Sequence, residues 1–446
     1  MTDSLWPIHP LGSTQEDVYG GETSNIVSYH RMYEKAYCLP SIALYSPGEI
    51  SELSTASEAM DAIFRKTMRF VQRYMPDSYL IRQLDIPPSL LPLIREEIPL
   101  GGITRQDWIL GPQGMKMIEN NADTPTGIPE SAYLEGQILK RHTSWKGPSV
   151  NLQELLGEEL AAFAEFYKAR GLEKSVTFSC YDWHPEDRFN TLYLMEQLRR
   201  MNVPAHYAPL EELDIIPGKG LYHNGRQIDI WYRLYPLEYL TQDRDETSGL
   251  NVGEALLELA SAGKIGLINP PQNFILQSKG FLATLWSLYE RNHQTADYCG
   301  FTLFEPEELE IISTYCLPTY FSPEPFKLQN LPYVAKSYWG REGKGTSLHG
   351  SQKKDANAPS STDSNHDSEE DADILAYYSD QPKIYQQYWT MPSAEVETEE
   401  GVYSGRLLTG AFVVGGRFGG VLSRIGGKVT GDDAYYLPAA IFAPEE

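Results

Sequence analysis

The stretch Arg105-Gln-Asp107-Trp-Ile-Leu-Gly-Pro-Gln-Gly-Met-Lys-Met-Ile-Glu119-Asn-Asn121-Ala-Asp123-Thr124-Pro125 decides how this chain is read. Two short strand-forming runs flank Gly111-Pro-Gln-Gly114, the pattern of a β-hairpin. Side chains alternate across a strand, so Arg105 and Asp107 share one face of the first run. Glu119 and Asn121 share one face of the second. A three-residue loop over 112–114 sets Asp107 opposite Glu119 and Arg105 opposite Asn121. Two carboxylates facing each other destabilise a sheet, and a divalent cation between them removes that penalty. An oxygen-only set of Asp, Glu and Asn suits hard Mg²⁺. A solvated polar hairpin face is the alternative, and a one-residue slip of the loop breaks the facing geometry.

At 446 residues the chain is long enough for two or three lobes around a substantial core. Its formal net charge of −24 disfavours nucleic acid and anionic membrane surfaces as partners, while tolerating a cationic substrate. Cys38, Cys180, Cys299 and Cys316 are scattered without a C-x-x-C pair, as in a reducing compartment. The opening Met-Thr-Asp-Ser-Leu-Trp-Pro lacks the basic and apolar regions of a signal peptide, and no run of about 18 apolar residues occurs. The expectation is a soluble, cytoplasmic protein.

Outward from the hairpin, residues 1–30 read as an irregular segment. Met60, Ile63, Phe64, Met68 and Val71 recur at helical spacing within 53–74, and 152–169 reads as a second helix ended by Gly171. An α/β alternation follows: strand 176–180, helix 188–200, strands 204–208 and 228–232, and helix 252–262. A helix over 277–291 carries Lys279 in its first turn. From about 333 the β-branched residues and Gly-Gly turns indicate an antiparallel region. Residues 351–373 contain no aliphatic residue larger than Ala and are packed with Ser, Asp and Glu. Such a stretch cannot bury enough apolar surface to offset its ordering, so it reads as a disordered insert within a folded region.

Several places suit an anionic ligand. Lys336-Ser-Tyr-Trp-Gly340-Arg341-Glu342-Gly343-Lys-Gly345 follows a strand, and its glycines free N–H groups for an anion-binding nest. An ordinary hairpin turn is the plainer reading, since neither a Walker A loop nor a dinucleotide fingerprint is present. Lys279 near a helix N-terminus is disfavoured by the helix dipole unless a phosphate binds there. Gln386, Gln387, Tyr388 and Trp389 are able to offer backbone amides and an aromatic wall to a flat base. Arg424 is placed to grip a phosphate or carboxylate as a bidentate fork. There is no G-x-S-x-G and no H-E-x-x-H, and the nine histidines lack metal-ligand spacing.

Together these motifs resemble the synthetase domain of the glutathionylspermidine synthase family, a branch of the ATP-grasp ligases. The resemblance runs from Arg31-Met-Tyr-Glu34 onward. It is carried by Arg105-x-Asp107, Ile118-Glu119-Asn-Asn121-Ala-Asp-Thr-Pro125, Pro185-Glu186-Asp187, Leu234-Tyr-Pro-Leu-Glu238, Asn269-Pro-Pro271 with Lys279, Lys336 with Gly340-Arg-Glu-Gly343, and Gln386-Gln387. It implies an α/β (α+β) chain: an ATP-grasp fold in permuted order, preceded by a pre-ATP-grasp α/β region. The metal and acceptor-substrate region would span 31–265, with the metal hairpin at 103–123, and the nucleotide region 266–446.

The resemblance also implies amide-bond formation through an acyl phosphate, with ATP and Mg²⁺ as cofactors and a small or peptide-like acid and an amine as substrates. Asp107, Glu119 and Asn121 would hold the metal. Arg105 and Arg424 would serve the transferring phosphoryl group. Lys279, Lys336, Gly340, Arg341, Glu342, Gly343, Gln386, Gln387, Tyr388 and Trp389 would bind the nucleotide with Arg105, and 340–345 would form a lid whose N–H groups await a phosphate. Thr124, Glu186, Asp187 and Arg233 are the candidate substrate contacts. The amidase domain of the best-known members is missing from the pattern, so no hydrolytic half-reaction is expected. A nucleotide-binding protein without ligase activity is the alternative. Retention of Arg105, Asp107, Glu119, Asn121, Lys279 and Lys336 together favours the enzyme.

The insert yields a direct test. Replacing 351–373 by a short Gly/Ser linker should leave the melting temperature unchanged and ATP turnover within about a factor of two, because loop length costs little free energy.

Overall fold

The hairpin forms with the expected facing pairs, by a different route. In this computed structural model, which describes residues 5–443 apart from 22, 33, 173–174, 351–376 and 379, strands Ile103–Gly111 and Gly114–Asn121 are joined by two turn residues, not three. A two-residue turn alone would place Ile118 opposite Asp107. A β-bulge between Asp107 and Trp108 absorbs one extra residue, restoring Asp107 against Glu119 and Arg105 against Asn121. The insert at 351–373 lies outside the described residues.

This hairpin is the edge of a six-stranded antiparallel sheet. Ile103–Gly111 pairs with the long strand Gly401–Val414, which pairs with Arg417–Gly426, and that in turn with Tyr435–Leu437. Ser393–Thr398 pairs with the outer part of Gly401–Val414. The sheet therefore joins the two regions that the sequence divides at 265/266. On its far face Gln106 is buried and donates to Ser57 O at 3.0 Å, and Trp108 donates to the Gln106 side chain at 3.2 Å. Ser57 belongs to the helix Pro47–Tyr74. That helix starts six residues before the expected position, because Ser46 and Glu49 form a capping box ahead of the periodic apolar run.

A second sheet is wholly parallel, in the order Gly266–Ile268, Ile230–Arg233, Val176–Ser179, Ala205–Tyr207. Its first three strands are buried along their whole length, as expected for a parallel sheet covered by helices. Helices Leu152–Lys168 and Pro185–Arg200 pack together beside it. Ligands of such sheets bind beyond the carboxyl ends of the strands. Those ends deliver Tyr181–His184 and Leu234–Pro236 to one large cavity. The expected strand at 228–232 is split at Asp229. Arg226–Ile228 closes a small antiparallel sheet with Gly220–His223 and Leu213–Ile216, which the sequence reading did not anticipate.

The third unit is the antiparallel sheet Thr319–Tyr320, Lys383–Gln387, Tyr333–Ser337, Thr346–His349, with helix Gly280–Glu290 against it. The helix expected over 277–291 begins at Gly280, and Lys279 is its N-cap. Asn269-Pro-Pro-Gln-Asn273 is a clamp. The Asn269 amide accepts from Ile103 N at 2.9 Å and donates to Ile103 O at 2.8 Å and Asp123 O at 3.0 Å. Asn273 donates to Gly101 O at 2.8 Å, and Gln272 bonds both the N–H and the C=O of Ile98. Among the described residues no helix is long and apolar enough to cross a membrane.

Candidate active site

The two antiparallel sheets and the carboxyl ends of the parallel strands enclose a cavity of about 930 Å³. Arg105, Asp107, Glu119 and Asn121 lie on its floor, as the hairpin register requires. Asp107 is buried, and both oxygens are engaged. Arg105 Nε reaches Oδ1 at 3.0 Å, Arg424 NH2 reaches Oδ2 at 3.0 Å, and the Asn121 amide donates to Oδ2 at 3.3 Å. Burial pushes the Asp107 carboxyl upward, but the charges and hydrogen bonds of Arg105 and Arg424 outweigh it and hold it below its ordinary range.

Arg424 comes from two strands away, opposite Leu408. Gly410, the residue facing Asp107, has no side chain and leaves room for the Arg105–Asp107 pair. A Cβ there would sit 3.0 Å from Arg105 Cδ and 3.3 Å from Asp107 Oδ1.

The penalty of facing carboxylates is thus relieved by protein cations. Glu119 Oε1 is held by Lys279 Nζ at 2.8 Å. Lys279 also donates to Gly340 O at 2.7 Å, so Lys279 and Gly340 stand behind the cavity wall. Lys336 crosses from the third sheet and donates to Ile118 O at 3.0 Å. Ile118 is the residue freed from the ladder by the bulge. Burial pulls the Lys336 ammonium down to about 8 and Lys279 adds to the shift, against the carboxylates of Glu119 and Asp107.

Among the described residues no three or more His, Cys, Asp or Glu side chains form a metal cluster. The donors present, two carboxylates and an amide oxygen, still fit Mg²⁺, which takes one or two protein carboxylates and completes its shell with waters and phosphate oxygens.

Around the lid, Arg341, Glu342 and Gly343 line the cavity. Arg341 pairs with Glu238 at 2.7 Å and donates to Thr124 Oγ1 at 3.3 Å. Lys344 bridges Glu342 at 3.0 Å and Asp432 at 3.4 Å. The lid amides are not all waiting for a ligand: Gly340 N donates to Ser337 O, Lys344 N to Arg341 O, and Thr346 N to Gly343 O.

Gln386, Gln387, Tyr388 and Trp389 also line the cavity, beside the apolar Ile109, Ile118, Leu317, Val334, Met391 and Leu408. The amides of Gln387 and Tyr388, expected to face a base, are bonded to Pro318 O and Pro332 O. What this end offers a flat ring is an apolar slot.

Thr124, Glu186 and Asp187 line the opposite side with His184 and five tyrosines, 181, 235, 239, 377 and 378. Arg233 does not. It is fully buried, pairs with Asp123 at 2.5 Å and donates to Tyr235 O at 2.6 Å. Asp123 in turn accepts from Leu237 N at 3.0 Å. Arg233 therefore ties the hairpin exit to the parallel sheet, correcting the expectation of a substrate contact.

A family model described as glutathionylspermidine synthase preATP-grasp matches residues 22–442. The chain belongs to that family. It is 25% identical over 338 residues to a Haemophilus influenzae protein whose name assigns it, provisionally, to the acid–amine ligases; the match covers 75% of this chain and 73% of that one. Among solved structures it is similar to a glutathione synthetase-like effector from Globodera pallida in its apo form, with a TM-score of 0.51, 9% identity, and coverage of 90% and 89% of the two chains. The fold is thus a mixed α/β architecture of the glutathione synthetase-like ATP-grasp type, and the protein is an ATP-dependent carbon–nitrogen ligase.

Removing one partner of a buried ion pair strands the other charge. Arg233→Ala should cost about 3–5 kcal/mol of stability, read as a lowered unfolding midpoint in urea. A residue that served substrate alone would leave the midpoint in place and raise KM.

Proposed function

We propose that the cavity phosphorylates a carboxylic acid with MgATP and passes the acyl group to an amine. One observation carries this reading: Arg105 and Arg424 pair with Asp107, Lys279 pairs with Glu119, and Lys336 is buried against Ile118 O, next to Glu119. Four cations against two carboxylates leave two positive charges, the complement of a magnesium–nucleotide complex carrying roughly −2. Phosphoryl transfer is mostly positioning plus charge neutralisation, which such a set supplies.

In this reading the adenine enters the apolar slot beside Gln386–Trp389, and the phosphates lie over the hairpin toward Lys336. Asp107, Glu119 and Asn121 hold Mg²⁺, which when bound neutralises charge on the transferring phosphate. Arg105 and Arg424, released in part from Asp107 as the metal takes over its charge, turn to the phosphoryl group and the tetrahedral intermediate. Thr124 and Arg341 face the acid. Glu186 and Asp187 give the amine end carboxyl groups able to hold an ammonium group. Glutathione and spermidine are the first acid and amine to try.

Incubating the protein with MgATP across a panel of acids and amines, glutathione and spermidine included, should give ADP release that requires both an acid and an amine. Nucleotide binding without acid-dependent ADP would favour the non-ligase alternative. On an active pair, Lys336→Met should lower turnover by about a hundredfold or more. It should leave the melting temperature equal or higher, because a buried ammonium that pays a desolvation cost has been removed. A structural lysine would do the reverse.

A further inference from the structure

The end of the cavity away from the hairpin is walled by aromatic rings from three separate segments of the chain. Trp183 and Tyr181, in the turn after strand Val176–Ser179, lie 5.6 Å apart between ring centroids. Tyr181 meets Tyr235 edge to face at 5.5 Å, and Tyr235 reaches Tyr239 at 6.3 Å. Tyr239 continues to Tyr377 at 6.4 Å, and Tyr377 to Tyr378 at 5.1 Å. All of these rings line the one cavity, so their contacts make a continuous wall. Trp183 is 71% exposed although it rests against Tyr181. Large rings are ordinarily spent on a core, and this one is left at the rim of a cleft.

The polar atoms at this end are already engaged. The hydroxyls of Tyr239 and Tyr378 share a hydrogen bond at 3.0 Å, and Tyr235 donates to Asp243 Oδ1 at 3.0 Å. Asp187 lies 3.5 Å from His184 Nδ1, and Lys344 holds Glu342 at 3.0 Å. Among the described acids that line the cavity, Glu186 alone has neither a hydrogen bond nor an ion pair. What remains for a ligand is a long run of ring surface and one uncommitted carboxyl.

We propose that the amine substrate carries one ammonium group and one aromatic ring, and that Trp183, Tyr181 and Tyr235 form the subsite for the ring. This deepens the ligase reading and rests on it. In that reading the acid has Thr124 and Arg341, and the nucleotide base has the slot beside Gln386–Trp389, so the wall is left to the amine. An aromatic ring gains by packing offset or edge-on against other rings at about 4.5–7 Å, which the tilted faces of this wall allow. A linear polyamine makes the opposite demand. Each added ammonium group needs a carboxylate of its own, and the neighbouring acids have partners.

Phenethylamine, butylamine and spermidine separate ring from charge. With whichever panel acid releases ADP, kcat/KM for phenethylamine should exceed that for butylamine and for spermidine by about tenfold or more. Trp183→Ala should bring the phenethylamine-to-butylamine ratio close to one, chiefly through the KM for phenethylamine. Trp183→Phe should restore most of the ratio. Neither variant should shift the melting temperature, because an exposed side chain contributes little to the fold. A ratio near one in the parent overturns the proposal, as does a preference for spermidine. So does an effect of Trp183→Ala that falls on the KM for the acid or for ATP.

A second measurement needs no turnover. Calorimetric titration of phenethylamine into the protein, with neither acid nor ATP, should show binding that Trp183→Ala weakens about tenfold. If no acid in the panel releases ADP, the ligase reading fails, and this titration still decides the ring subsite. No binding by the parent, or equal binding by Trp183→Ala, overturns it.

Discussion

Asp107 is a buried carboxylate held between two guanidinium groups, one from its own strand and one from two strands away. Taking an ion out of water costs several kcal/mol, repaid only when geometry and hydrogen bonds are good. Three separate features of the chain make them good. The bulge sets Asp107 against Glu119, Gly410 leaves room for the Arg105–Asp107 pair, and Asn121 supplies the remaining donor. Lys279 then balances Glu119, and Lys336 occupies the carbonyl that the bulge exposes. Under the proposed function, the cations that would serve a nucleotide are stored on the carboxylates that would serve a metal, so the site stays folded and ionised before either ligand arrives.

The rest of the molecule brings substrates to this point. The parallel sheet aims the ends of two strands at the cavity, and the third sheet closes it from the other side. The Asn269–Asn273 clamp and the buried Arg233–Asp123 pair fix these units to the hairpin through hydrogen bonds to its entry and exit. The arrangement leaves a positive end over the hairpin and an end lined by tyrosines and carboxyl groups near Glu186. A chain of net charge −24 still presents cations where phosphates belong, because local placement, not net charge, sets the field in a cleft.

The hairpin and its facing residues were legible in the sequence because a two-residue period is rigid. The bulge was not, since it leaves no residue signature beyond a run of ordinary strand formers. Arg424 stood out by its glycine-rich setting, whereas Gly410, which leaves room for Arg105 and Asp107, looked like any strand glycine. Arg233 was read as a substrate contact, yet its guanidinium is paired with Asp123 and Tyr235 O; polar groups in a motif give the same pattern whether they bind a ligand or a chain. Lys279 was placed at a helix start correctly but faces Glu119, a contact 160 residues away that local periodicity cannot report. The helix at 47–74 began early because its capping box precedes the periodic residues.

The account stands on Asp107 exchanging its arginines for a metal ion. Calorimetric titration with a non-hydrolysable ATP analogue, with Mg²⁺ and then with EDTA, tests it on the parent and on Asp107→Asn. The parent should bind at least about tenfold more tightly with Mg²⁺. In Asp107→Asn the metal dependence should largely vanish, while metal-free binding tightens because Arg105 and Arg424 have lost their counter-charge. Affinity in the parent that is unchanged by EDTA, and equal in Asp107→Asn, would contradict the account.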